Sequence, residues 1–253
     1  MVTMKGPVPC GHCGNCRVNR QRAWACRILM EAQCHSETAF ITLTYEDAPE
    51  ELKPSDLTLF LKRLRKHWKE KIRYFAVGEY GDQKARPHYH AALFGFPVDD
   101  ISENVIRATW GLGFITISSI IPARAMYLAH YTTKKMTKKG DSRLRGKHPE
   151  FARMSRRPGL GTPFLEYVAD RHRSDAGSKV VADTGDIIRE VRIDGKRWPL
   201  DYYTQQKLRG MLDIPTKACE RPAKEIPRAT EAELQHAAQV ETRNYIRSGN
   251  RTL

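Results

Sequence analysis

Apolar positions along this chain switch between two periods, and the switches mark its elements. From Asn15 to Gln33 the apolar side of a helix is supplied by Trp24, Ile28 and Leu29, while Arg17, Arg20, Arg22 and Arg27 dominate the rest. Phe40 to Tyr45 alternates with the period of a strand. Lys53-Pro54-Ser55-Asp56 carries helix-starting chemistry. Leu57, Leu61, Leu64 and Trp68 then keep helical spacing, with Lys62, Arg63, Arg65, Lys66 and Lys69 outside. Arg73 to Glu79 and the run between Pro87 and Gly95 read as two strands joined by the polar loop Tyr80 to Arg86. Ser102 caps a short helix that runs to Trp110. Gly111-Leu112-Gly113 turns into a strand from Phe114 to Ser118, and Pro122 opens another helix.

This order of strand, helix, strand, strand, helix, strand and helix predicts an α+β fold. The expectation is an antiparallel sheet with ferredoxin-like split β-α-β order and helices over one face, leaving the other face to hold a site. Beyond Lys138 the chain turns irregular and basic, through Arg143, Arg145, Lys147, Arg153, Arg156 and Arg157, as a DNA-contacting loop or a solvated linker. Phe164 to Val168 reads as a helical turn. Ile187 to Leu200 reads as a hairpin turning at Asp194-Gly195, and Tyr202 to Leu212 as a helix. After Pro215 the chain is polar, with one further helix predicted from Glu231 to Ile246. Three regions follow: a Cys-rich segment and basic helix over 1–36, a central domain over 37–175, and a C-terminal hairpin and helical extension over 176–253.

Charge narrows the partner. The 253 residues carry a net charge of +14, the balance of a protein that meets a polyanion, most often nucleic acid. A ribosome-associated or membrane-surface protein is the competing class. No apolar stretch is long enough to span a bilayer, and the N-terminus lacks the apolar core of a signal peptide, so neither membrane insertion nor export is expected. Five of the six cysteines fall in the first 34 residues, and Cys219 stands alone. Cys10, Cys13 and Cys16 have the spacing of thiolate ligands and suit a structural zinc, its fourth ligand drawn from His12, Cys26, Cys34 or His35. An iron–sulfur cluster, or three reduced cysteines in a leader, are the alternatives. No Gly-x-x-x-x-Gly-Lys-Ser/Thr loop for a fused helicase is present.

The densest chemistry lies at Pro87-His88-Tyr89-His90. Residues two apart on a strand share a face, so both imidazoles can grip one metal ion. Glu79, nine positions earlier, sits at the mouth of the same hairpin and would complete an N/O site for a divalent ion. An isolated His-x-His more often has one ring packed and one solvated, and Glu79 alone reads as a loop carboxylate. A third feature shifts the balance. Tyr127 and Tyr131 are four apart on the predicted helix, with Lys134 on the same face and Lys135 next to it. Tyrosine hydroxyls can act as nucleophiles, although paired tyrosines usually pack in a core. Tyr131 has both lysines within a turn, which makes it the expected first nucleophile.

Together these residues resemble the HUH endonuclease superfamily, and within it the rolling-circle replication initiators of gokushovirus-type microviruses. The likeness rests on His88-Tyr89-His90, on Tyr127, Tyr131 and Lys134, on the strand Phe40 to Tyr45, on Ser155-Arg156-Arg157-Pro158-Gly159-Leu160-Gly161 and on the Cys-x-x-Cys-x-x-Cys start. His130 stands where the family pattern has its first lysine. The resemblance implies a HUH domain over 37–175 that nicks and religates single-stranded DNA through a 5′-phosphotyrosine. Mg²⁺ or Mn²⁺ would sit on His88, His90 and Glu79, and the two tyrosines would alternate. It implies single-stranded and replicative-form viral DNA, host helicase and host polymerase as partners, in the cytoplasm of an infected bacterium. A transposase or plasmid relaxase of the same superfamily is the nearest alternative. A non-catalytic nucleic-acid-binding module, with Phe94 as an exposed platform, is the more distant one.

Overall fold

A computed structural model describes residues 13–81, 84–132 and 142–215. Residues Asn19–Thr216 form one compact unit; Met1–Val18 and Lys217–Leu253 form a second, of which only 13–18 are described. The helix expected from Glu231 to Ile246 therefore lies outside the described residues, as do Cys10, His12 and Cys219.

The described elements are α1 (Gly14–Ala32), β1 (Thr38–Thr44), α2 (Pro54–His67), β2 (Arg73–Tyr80), β3 (Pro87–Phe94), α3 (Asp100–Trp110), β4 (Ile115–Ser119), α4 (Pro122–His130), β5 (Phe151–Met154), α5 (Phe164–Arg173), α6 (Asp175–Thr184), β6 (Glu190–Ile193), β7 (Lys196–Pro199) and α7 (Tyr202–Met211). Proline occupies the first turn of α2 and of α4, where its missing N–H leaves no bond unmade. Helix α3 is capped one turn earlier than expected: Asp99 accepts from Ser102 N at 2.7 Å, and Ser102 lies inside the helix. Its end is the left-handed Gly111, at φ 62°.

Five strands form an antiparallel sheet in the order β4-β1-β3-β2-β5. β1 and β2 both run antiparallel to β3 between them, so β1-α2-β2 is a β-α-β unit split by a third strand. β6 and β7 make a separate hairpin that turns at Asp194-Gly195, as the dipeptide predicts. The α+β class is therefore as expected.

Both faces of the sheet are covered, which corrects the expectation of helices over one face only. Ile41, Leu43, Ala76, Tyr89, Ala91 and Leu93 pack against Leu57, Phe60, Leu61 and Leu64 of α2 and Ile106 and Trp110 of α3. On the other face Phe40, Phe75, Val77, Ala92 and Phe94 pack against α1, α4 and α5 through Ile28, Leu29, Ala125, Leu128, Leu165 and Val168. A sheet whose alternate positions are apolar on both sides demands that second layer. Phe94, the expected exposed platform, is fully buried there.

The basic run after Lys138 contains β5, an edge strand the sequence did not announce. Phe151 lies opposite Gly78, and its ring fills the space where that glycine has no side chain: a Cβ at 78 would come within 2.7 Å of it. The segment Ser155 to Gly161 then closes α1 over β2. Leu160 O accepts from Arg27 Nε at 3.0 Å, Pro158 O accepts from Arg73 Nη2 at 2.8 Å, and Gly161 N donates to Glu31 Oε2 at 2.8 Å. Arg27, one of the four arginines read on the polar side of α1, is thus turned inward, its guanidinium near the rings of Trp24 and Tyr203.

Candidate active site

Strand pairing brings the site together. Glu79 and His88 are direct partners across β2 and β3, and His90 is paired with Thr42 of β1. Glu79 Oε1 lies 2.7 Å from His88 Nε2 and 2.9 Å from His90 Nε2. All three ligand atoms fall within 4.8 Å of one another, with Glu79 and His90 buried and His88 half-buried. Two donors at right angles, each about 2.1 Å from a small divalent ion, stand roughly 3 Å apart. The observed spacings therefore fit one ion after small side-chain adjustment, and the donor set of two imidazoles and one carboxylate suits it.

The electrostatics agree. Burial works against the charge on Glu79, but hydrogen bonds with His88 and His90 more than offset it and hold the carboxyl well below the usual range. Burial pushes the His90 pKa down, against the pull of Glu79, which favours the neutral, ligating imidazole. The far nitrogens are fixed as well. His90 Nδ1 lies 2.9 Å from Thr42 Oγ1, and His88 Nδ1 lies 3.0 Å from Arg86 O. Outer partners of this kind set which ring nitrogen faces a metal. Thr42 and the Arg86 carbonyl were not foreseen from the sequence. The only signal for Thr42 was its place in the alternating run Phe40 to Tyr45.

Helix α4 lies on this face through Leu128 and through Ala125 and Ala129, whose small side chains let its backbone approach the sheet. Gln21 of α1 ties it down by donating to Met126 O at 3.1 Å. Tyr127 is thereby aimed at the site: its hydroxyl donates to Glu79 Oε1 at 2.7 Å and lies 3.1 Å from His90 Nε2. Tyr131 O–H donates in turn to the Tyr127 oxygen at 2.9 Å. Tyr127 is 39% exposed and Tyr131 only 8%. Burial pushes the Tyr131 phenol up, and the nearby Glu79 charge pushes it further. The helix ends at His130, whose ring stands edge-on to Tyr131. Lys134 and Lys135 lie outside the described residues. Of the cysteine set, Cys13 is exposed and Cys16 half-buried at the start of α1, while Cys10 lies outside.

Residues 38–136 match a family model of replication-associated proteins, that of the ORF2 type. The chain is 34% identical to the replication-associated protein ORF2 of Spiroplasma virus 4, over 74% of its own length and 65% of the relative's. It is 32% identical to the replication-associated protein VP4 of Bdellovibrio phage phiMH2K, over 62% and 57% of the two lengths. It is 28% identical to the replication-associated protein ORF4 of Chlamydia phage 1, over 51% and 38%. The chain thus spans less than two thirds of the length of each of these relatives. No solved structure gives a significant match. The matched segment contains the strands of the site, its three candidate ligands and both tyrosines, and over it the chain is similar to the replication-associated proteins of these phages.

Proposed function

We propose that this chain initiates rolling-circle replication of a phage genome by nicking and rejoining single-stranded DNA through a tyrosine ester. The observation that carries the reading is the Tyr127 hydroxyl, hydrogen-bonded to a carboxylate and beside an imidazole that could share a metal. Held by Glu79, His88 and His90, a magnesium or manganese ion would neutralise charge on the scissile phosphate and help orient the strand. The Tyr127 oxygen, oriented by its hydrogen bond to Glu79, attacks phosphorus as its proton passes to solvent. The bond from phosphorus to the departing 3′ oxygen breaks, and that oxygen takes a proton from solvent. The products are a 5′-phosphotyrosine and a 3′-hydroxyl, which a host polymerase can extend while a host helicase opens the duplex. The Tyr131 hydroxyl donates to the Tyr127 oxygen and so stabilises the charge that develops there. All of this would take place in the cytoplasm of an infected bacterium.

The first attack is assigned to Tyr127 rather than to Tyr131, which the sequence favoured on the strength of Lys134 and Lys135. Tyr127 is the more exposed of the two, while burial and the nearby Glu79 charge push the Tyr131 phenol up. Tyr131 would act after a full circle, when a second cleavage frees the end that closes the first ester.

The test is incubation with labelled single-stranded circular phage DNA and Mn²⁺ or Mg²⁺, followed by peptide mapping of any covalent adduct. The adduct is expected on Tyr127, with Tyr127→Phe reducing it by roughly 10²-fold or more. His88→Ala and His90→Ala should abolish it while sparing most DNA affinity, because the net charge supplies much of the binding. An adduct on Tyr131 alone reverses the order. Nicking without any adduct ends the tyrosine mechanism in favour of a water nucleophile.

A further inference from the structure

The site's face of the sheet continues past the candidate ligands. His88 is paired with Thr44 of β1. Thr44 N donates to Phe114 O at 2.9 Å, which carries the row on to the residue preceding β4. Phe114 and Thr116 belong to this face, because Ile115 between them is buried in the opposite core with α2 and α3. Phe114 is 62% exposed.

Its mount is rigid. Thr44 Oγ1 donates to Phe114 O at 3.2 Å, and Glu46 N donates to Leu112 O at 2.9 Å. Between them Gly113, at φ 151°, runs so close to β1 that a Cβ would come 2.3 Å from Glu46 N and 2.5 Å from Tyr45 C. The chain from 112 to 114 is thus zipped onto 44–46, and only glycine fits at the tightest point. Such zipping holds an apolar ring in water that a looser loop would let fold inward.

We infer that Phe114 is a stacking platform for an unpaired base of the strand whose phosphate enters the Glu79–His88–His90 site. The inference rests on the functional reading above. Two strand spacings separate β3 from β4, roughly 10 Å, a distance a short stretch of single strand covers. The ground between is polar: Thr42, Thr44 and the Arg86 guanidinium, which caps the carbonyls of Tyr45 and Glu46. The adjoining depression mixes Glu46, Asp47 and Glu50 with Lys84, Arg86 and Lys147. That mixture of signs gives a phosphate little net attraction, whereas a base stacks on a neutral ring regardless of it. Stacking also requires a free base face, which single strands offer and duplexes do not.

The test uses a short oligothymidylate substituted with 5-iododeoxyuridine, in EDTA so that no cleavage intervenes. On irradiation the photoadduct should map to Phe114. Phe114→Ala should weaken binding about 5- to 150-fold, the range of one lost base stack. The slope of log affinity against log salt should stay unchanged, since no charge is removed. Phe114→Tyr should bind almost as wild type. Phe114→Leu, which keeps apolar bulk without a ring, should behave as Phe114→Ala and covers the case in which the smaller variant fails to fold. Wild-type affinity in Phe114→Ala, rescue by Phe114→Leu, or adducts confined to other residues would each overturn the inference. Nicking retained without any Phe114 effect counts against this inference alone. A Phe114 effect in a protein that never nicks counts against the nickase reading alone, and no binding by the wild type ends both.

Discussion

His90 is gripped at both ends of its ring, by Thr42 at Nδ1 and by Glu79 and Tyr127 at Nε2. The Thr42 contact orients the ring plane and the nitrogen it presents. Thr42→Val keeps the shape and removes the hydroxyl. It should lower nicking by about 10- to 100-fold at unchanged single-strand affinity, the usual scale for an outer partner of a metal ligand. Nicking at the wild-type rate would remove the orienting role. His88, His90 and Glu79 were legible in the sequence because a period of two and one short loop bring them together. Thr42 was not, since it meets His90 only through the pairing of β1 with β3, 48 residues apart. Tyr127 and Tyr131 were legible as a helical pair. Their unequal exposure was not, because it depends on how α4 lies on the sheet.

At the scale of elements, one ion pair fastens α1 to β2. Glu31 is fully buried and Arg73 nearly so. Arg73 Nε donates to Glu31 Oε1, and His35 and the Gly161 N–H add to the pair. Burial opposes the charge on Glu31, but the His35 and Arg73 hydrogen bonds outweigh it, and the carboxyl stays below its usual range. Glu31→Ala strands the Arg73 charge and should cost about 3–5 kcal/mol of unfolding free energy in a denaturant titration. Replacing both residues by apolar ones should recover much of that loss; no recovery would mean that the loss is one of volume. A second pair anchors α7: Asp186 receives Arg209 Nε at 2.9 Å and Nη2 at 2.8 Å. Those bonds, with help from the Ile187 N–H and Arg189, draw the Asp186 carboxyl down to about 2. Its folded pKa lies below its unfolded value of about 3.9, so its contribution is complete above that value and fades as pH falls toward 2. Asp186→Asn should flatten the acid limb of the stability profile in that window, and an unchanged limb would show that the pair contributes nothing. The sequence missed two elements here for physical reasons. β5 is four residues of an edge strand, specified by its pairing with β2 rather than by alternation of its own. α6 buries no residue, so it has no apolar stripe to read; its signals are the Ser174 cap and the left-handed Gly185.

Over the whole molecule the net charge of +14 overstates the cations available to a polyanion. Arg27, Arg73 and Arg209 are committed to internal carbonyls and carboxylates. Arg20 lies exposed on α1. Single-strand affinity should fall linearly in log salt with a slope of about −0.7 per phosphate neutralised. Arg20→Ala should reduce that slope, and Arg27→Ala should instead lower the unfolding midpoint and leave the slope alone. Equal slope changes in both would show that Arg27 reaches the strand after all. Among the described residues no helix is long and apolar enough to cross a membrane.

Gly78 adjoins Glu79 on β2 but faces the opposite core, where the Phe151 ring occupies the room its side chain would need. A residue larger than glycine at 78 therefore calls for the Phe151 ring to move or for a smaller side chain at 151. The room at the two positions is shared, and what one gains in volume the other must give up.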